Sequence, residues 1–518
     1  MLTTSVRFAY RLIGTLGALH FLFILTLSEH ISGLSVALFT VCVIAVLPPV
    51  QRRIRQLPLL GRDWFFGCAF LILIFVANVQ LERGNRPEIV HGEYAFAHAT
   101  LITGELGAAP ISDAVILVDV SGEIVEVGTS ASLTIPDGYE TIDLSGKFLL
   151  PGLINAHGHL VMSGSEPGRT VEMTRFGPPE WVVGMFLTLA PTYAGEKVLV
   201  RLMERNAMRA LRAGITTVRG LGDPEFYDVV LRKQIESGRS LGPRLLVAGP
   251  LLCTTGGHAR QIGITLDGPD EARRAVRTSL SHEVDVIKIA STGGVADSKR
   301  LGEAGELQMT PEEISAITDE AHRKGVLVTA HAESAEGVLE ALRAGIDNIE
   351  HGAELDDEAL GLFLNNPRSL RGFTSLHPTL SVISSNRTLN EEGRKNRALY
   401  IRYMNGQQVS RDVISGYKSA VAAGVKIGVG TDGGLVDHAS VWRELEFMIQ
   451  HGNITNERAI HIGTLATAES IGIEATTGSI EIGKAADFMV VDANPFEELS
   501  TLDNPHMVVA AGSIVDRH

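Results

Sequence analysis

Four segments of the chain repeat one pattern: an amphipathic helical stretch, a glycine, a short β-branched run and then a polar residue. They are 210–219, 321–331, 341–351 and 421–432, broken at Gly214, Gly325, Gly345 and Gly424. Glycine at such a break supplies the left-handed conformation that ends a helix, and the apolar run after it suits a strand buried on both faces. Thr310-Pro311-Glu312-Glu313 predicts a helix start with a capping box and proline in the first turn. Repeated units of this kind over about 320 residues predict an α/β fold, and a closed (β/α)8 barrel fits that length better than an open sheet. On both flanks the texture changes to alternation. Ala114–Asp119 and Ile124–Gly128 around Gly122, and later Phe488–Asp492 and Val508–Val515, predict strands that pair into one small auxiliary β-sandwich.

Ahead of this lie three uncharged apolar stretches, roughly Leu12–Ser28, Ile31–Val50 and Trp64–Gln80. At 1.5 Å per residue each spans about 25–30 Å, near the thickness of a bilayer core. They predict three transmembrane helices preceding the barrel. Arg7 and Arg11, then Arg52, Arg53, Arg55 and Arg62, bias the first terminus and the second connection toward the cytoplasm. The expectation is a bacterial inner-membrane anchor with the following chain in the periplasm. The expected domains are 1–85 for the anchor, 93–150 and 476–518 for the two parts of the sandwich, and 151–475 for the barrel.

Composition narrows the function classes. Sixty acidic against 45 basic residues give a net charge of −15. Residues 1–92 hold eight Arg and four acidic side chains, a net of +4, so the remainder carries −19. A nucleic-acid binder needs a basic stripe, so nucleic acid is not an expected partner. Three cysteines exclude a disulfide scaffold.

The rhythm has a chemical consequence. His331 and His351 each stand six residues after their glycine and Asp432 stands eight after its own, so all three fall at the C-terminal ends of strands. In a parallel barrel those ends meet at one mouth, where catalytic residues gather. His157 and His159 follow the apolar run 148–156, and residues two apart on a strand point the same way, so both can reach one metal. Lys288 lies inside Val284–Ala290, a run composed like a buried strand; its ammonium must be paired, deprotonated or modified there.

Together these positions, in the order HxH, Lys, His, His, Asp, resemble the amidohydrolase superfamily of metal-dependent hydrolases. The resemblance extends over about residues 93–518 and includes 150–159, Thr216–Arg219, Thr255–His258, Ile287–Ile289 with Gly293–Val295, Ile349–Gly352, Gly430–Asp432 and 478–487. It looks most like the branch of imidazolonepropionase-like enzymes and Xaa-Pro or Xaa-Arg/Lys dipeptidases. The resemblance implies two divalent metal ions, with zinc expected and manganese, iron or cobalt as alternatives. His157, His159 and Asp432 would hold one, His331 and His351 the other, and a CO2-derived carbamate on Lys288 would bridge them. It further implies hydrolysis of an amide or peptide-like C–N bond in a small-molecule substrate by a metal-bridging hydroxide, with Asp432 moving the proton. His258 is expected to contact substrate, and Arg219 to bind a substrate carboxylate or form an internal ion pair. Two positions depart from the branch: Gly220 follows Arg219 where Asp is common, and Ala332-Glu333 stand where the dipeptidases often carry Tyr. The competing readings are a mononuclear deaminase of the same superfamily and a membrane transport or sensing protein with a ligand-binding barrel. A homo-oligomer is left open.

Overall fold

A computed structural model describes residues 92–164, 171–172, 188, 190–383, 387–388 and 394–515. Contacts divide the chain after Arg86, and the fold below is that of the unit Pro87–His518 by itself.

Strands from both flanks share one eight-stranded sheet. Tyr94–Leu101, Ile111–Val118 and Ile124–Thr129 form an antiparallel meander. Phe148–Pro151 then joins the two ends of the chain, because it pairs antiparallel with Phe488–Val491, with Phe488 opposite Pro151 and Val491 opposite Phe148. Alternation along Tyr94–Leu101 sends Tyr94 and Phe96 into one apolar cluster and Ala95 and Ala97 into another on the opposite face.

The middle of the chain is a ring of parallel strands. Leu153–Gly158, Ile215–Gly220 and Arg244–Val247 pair in that order. Asp285 N–H donates to the Val247 carbonyl, and Val286–Ala290, Leu327–Ala332, Asn348–His351 and Ser375–His377 continue the order. The segment 426–433 closes it: Leu376 N–H donates to Lys426, Ala156 N–H donates to Val429, and Gly433 bridges to Gly158. This is the arrangement of a (β/α)8 barrel. Leu153, Val218, Ile287, Val328, Ile349 and Leu376 belong to the main core, and full burial of each such side chain contributes about 1.5–3 kcal/mol. The four expected helix-ending glycines all have left-handed backbones, with φ of 82°, 71°, 90° and 79° at Gly214, Gly325, Gly345 and Gly424. Thr310 caps Pro311–His322 in a reciprocal capping box with Glu313.

The membrane part of the sequence reading is corrected. Among the described residues no helix is long and apolar enough to cross a membrane. The three transmembrane helices, the membrane as partner and the inner-membrane, periplasmic placement therefore do not form part of this fold. The apolar stretches behind them fall within residues 1–91, outside the described residues. The transport or sensing reading depended on those helices, and no described helix supplies them.

Candidate metal centre

Strand register sets the site. Lys288 is level with Thr329, Ala290 with His331, and Ala332 with His351, so the functional side chains step along the rim. His351 ends its strand with φ of 70° and Asp432 has φ of 55°. Both are left-handed backbones that turn a side chain inward at the barrel mouth. His157 to His159, His157 to His351 and His331 to His351 are ring neighbours at 5.4, 5.2 and 4.7 Å between centroids. Asp432 Oδ1 lies 3.1 Å from His159 Nε2 and 3.5 Å from His157 Nε2. Two sets of donors emerge, His157/His351/Asp432 and His331/Glu333/His351, each with its ligand atoms within 4.8 Å of one another.

Partners behind the ring aim the imidazoles. His351 Nδ1 is 2.7 Å from Thr379 Oγ1, and His157 Nδ1 is 2.8 Å from Glu350 Oε2. In both, the other nitrogen is left for the site. Burial, then Lys288, pushes His157 down to about 4; burial, then His157, pushes His351 down to about 3. His331 is lowered by burial and by His258 and His351. These three rings are neutral near pH 7, the form that ligates a metal. Asp432 is held well below the carboxylate range: burial opposes ionisation, but His157 and His159 outweigh it.

Lys288 is 3% exposed, and its Nζ makes no hydrogen bond. Burial lowers its pKa to about 8, against the pull of Glu350 and Asp432. An orphaned buried amine amid neutral imidazoles and a carboxylate is a donor set that fits a divalent metal pair.

His258 sits beside the second cluster, its ring stacked 4.4 Å from that of His331. Its Nδ1 is 2.8 Å from Asp297 Oδ2, which also accepts from the Ala259 N–H. Gly294 makes room for it, since a Cβ there would lie 2.4 Å from His258 Cε1. Arg219 is fully buried. Its guanidinium donates to the Ala156 carbonyl at 2.7 Å, Asn348 Oδ1 at 2.6 Å and Glu350 Oε1 at 2.7 Å. Of the two expectations for Arg219, this is the internal ion pair.

Sequence reasoning found Asp432 but overlooked the other carboxylates around it. Glu350 is buried and held far below its usual pKa: burial opposes ionisation, but His377, His157 and Arg219 outweigh it. Thr329 Oγ1 also donates to it, at 2.6 Å. Asn348 and Glu350 are two apart on one strand, so both face Arg219; two polar residues at that spacing in a buried run were the available signal. Asp297, Thr379 and His377 carried none, because their partners come from distant parts of the chain. Glu333 enters the second donor set, and burial with Asp432 raises it to about 8.

Comparison with known proteins decides the family. The Amidohydrolase family model matches residues 148–515. The chain belongs to the amidohydrolase family. Among solved structures this amidohydrolase is similar to a protein from Bifidobacterium longum assigned as a prolidase, at 37% identity and a TM-score of 0.69, covering 82% of this chain and 95% of that one. It is similar also to a Xaa-Pro dipeptidase with bound methionine, at 29% identity and a TM-score of 0.67, covering 82% and 100%. Ochratoxinase of Aspergillus niger is 29% identical over 332 residues, 59% of this chain and 66% of that enzyme. This amidohydrolase is a binuclear metal-dependent hydrolase acting on carbon–nitrogen bonds. The two donor sets weigh against a mononuclear deaminase.

Proposed function

We propose that the chain hydrolyses an amide or peptide-like C–N bond of a small molecule, with His157, His159 and Asp432 holding one divalent ion and His331 and His351 the other. In this reading Lys288 would carry a carbamate available to both ions: its neutral amine would add to CO2, forming an N–C bond and releasing a proton. Zinc suits these ligands best. The observation that carries the reading is the buried, unbonded Lys288 Nζ, which feels the charges of Glu350 and Asp432.

Bound there, two such ions supply Lewis acidity and lower the pKa of water from ~15.7 toward ~7. The chain's own groups do the rest. Asp432, kept ionised, accepts the proton of the attacking water and returns it to the departing nitrogen, acting as base and then acid. His258, held by Asp297, presents Nε2 to the substrate's carbonyl or carboxylate. Arg219 is a positioning residue that neutralises Glu350, which in turn orients His157. The boundaries 93–150, 151–475 and 476–518 divide the catalytic barrel from its two-part sheet.

The names of the solved relatives favour dipeptides as a first test. Metal analysis of the full chain, followed by a screen of dipeptides, N-acyl amino acids, lactones and cyclic amides, tests the proposal. Near two metal equivalents per chain and turnover of an amide are expected. One equivalent, or turnover of the lactones alone, overturns it.

A further inference from the structure

Glu444, on the helix Val441–Gly452, is a fully buried carboxylate that belongs to neither donor set. Its two oxygens accept from two successive backbone N–H groups, Oε1 from Leu380 and Oε2 from Ser381, each at 2.6 Å. Charge-assisted bonds of this kind fix a backbone more firmly than neutral ones do. Burial pushes the Glu444 carboxyl up to about 7, and Ser381 and Leu380 are the groups that pull it back. No cation among the described residues shares in that balance.

The turn it grips follows the strand Ser375–His377 and opens the short helix Leu380–Ile383. Thr379, just before the two gripped N–H groups, has a left-handed φ of 50°. A β-branched residue holds that conformation only when its surroundings impose it. Thr379 Oγ1 lies 2.7 Å from His351 Nδ1, and His351 is itself left-handed at 70°. The contact thus joins two strained residues, and the imidazole it aims is common to both donor sets. From the same turn Ser381 Oγ lies 3.4 Å from the Thr431 carbonyl oxygen, one residue before Asp432.

We infer that Glu444 is a positioning residue of the metal centre, holding the turn Thr379–Ser381 in place so that Thr379 fixes the ring of His351. This rests on the reading of His351 as a metal ligand and adds what keeps that ligand aimed. A carboxylate suits the task because two N–H groups need two acceptors. A glutamine offers one oxygen, and whichever way its amide turns, its NH2 meets one of the N–H groups donor to donor. An aspartate keeps the charge on a side chain one methylene shorter, which draws both oxygens back from the turn.

The test is zinc binding by the full chain, stripped of metal and titrated against a coloured chelator at about pH 8, where Glu444 is ionised. Glu444→Gln should weaken zinc affinity about tenfold, and Thr379→Val about 10–100-fold. Because both act through one contact, the double variant should bind within about threefold of Thr379→Val alone. The visible spectrum of the cobalt-loaded chain should shift in Glu444→Gln as it does in Thr379→Val. Asp347→Asn controls for plain loss of stability. Asp347 accepts from the N–H groups of Val328 and Leu370 at 2.7 Å each, at the far end of the strand that finishes in His351. Its substitution should leave zinc affinity and cobalt spectrum as in wild type. If Glu444→Gln does not fold, Glu444→Asp takes its place in every comparison, with the same outcomes deciding. Three results each overturn the inference and leave the metal centre standing. They are wild-type zinc affinity and cobalt spectrum in the Glu444 variant, losses that multiply in the double variant, and an equal loss in Asp347→Asn. A wild-type chain that binds no zinc overturns the reading of His351 beneath it.

Discussion

Oε2 of Glu350 lies 2.8 Å from Nδ1 of His157, while Oε1 of the same carboxylate accepts from Arg219 at 2.7 Å. One buried anion thus orients a metal-facing imidazole and is itself balanced by a buried cation. Glu350→Gln leaves Arg219 uncompensated, an expected cost of about 3–5 kcal/mol in stability. Thr379→Val tests the same principle more gently. Losing the oxygen beside His351 Nδ1 should weaken metal affinity about 10–100-fold with the fold intact. Competition against a coloured chelator and a melting curve on each variant check both numbers.

Asp432 is placed to ligate and to move a proton. Asp432→Asn keeps a donor oxygen but cannot shuttle the proton, so turnover should fall about 10²–10⁴-fold while metal content stays near wild type. Parallel elemental analysis and steady-state kinetics decide. Turnover within a few-fold of wild type would remove the proton role.

Burial lowers Lys288 from 10.5 to about 8. The reactive form is the neutral amine, whose fraction rises as pH climbs through that value, from about a tenth at pH 7 to about nine tenths at pH 9. At a fixed concentration of dissolved CO2, reloading of metal-stripped protein should therefore speed up about tenfold over that range. Lys288→Arg should show no CO2 dependence and should not load the second ion.

Metal removal should register in stability as well as activity. Ligands that bind only the native state add RT ln(1 + [L]/Kd), about 2.7 kcal/mol at a hundred times Kd. Chelation should lower the melting temperature, and zinc should restore it. An unchanged melt after complete demetallation would contradict a metal centre built into the barrel.

His258 stacks on His331 and leans on Asp297. Asp297→Asn weakens the hold on the ring without removing a proposed metal ligand. The expected outcome is a drop in kcat/KM of about tenfold at unchanged metal content, read by kinetics beside elemental analysis.

The chain's own letters determined the parts that depend on local rules. Glycine after a helix admits a left-handed backbone, so Gly214, Gly325, Gly345 and Gly424 marked the αβ units, and counting onward from them located His331, His351 and Asp432 at strand ends. The flanking strands were legible from alternation. The apolar stretches before residue 82 spoke for a membrane, and no helix among the described residues carries that reading. Tertiary structure alone decided what stands behind the ligands and beside them. Glu350 meets Arg219 across 131 residues, His258 meets Asp297 across 39, and Glu333 lines a cavity with Asp412 of the helix Arg397–Ala423. Charge pairing and burial are properties of neighbours in space. Once the ring of strands closes, distant residues share a low-dielectric interior, and only then is it settled which charge is paired and which amine is stranded.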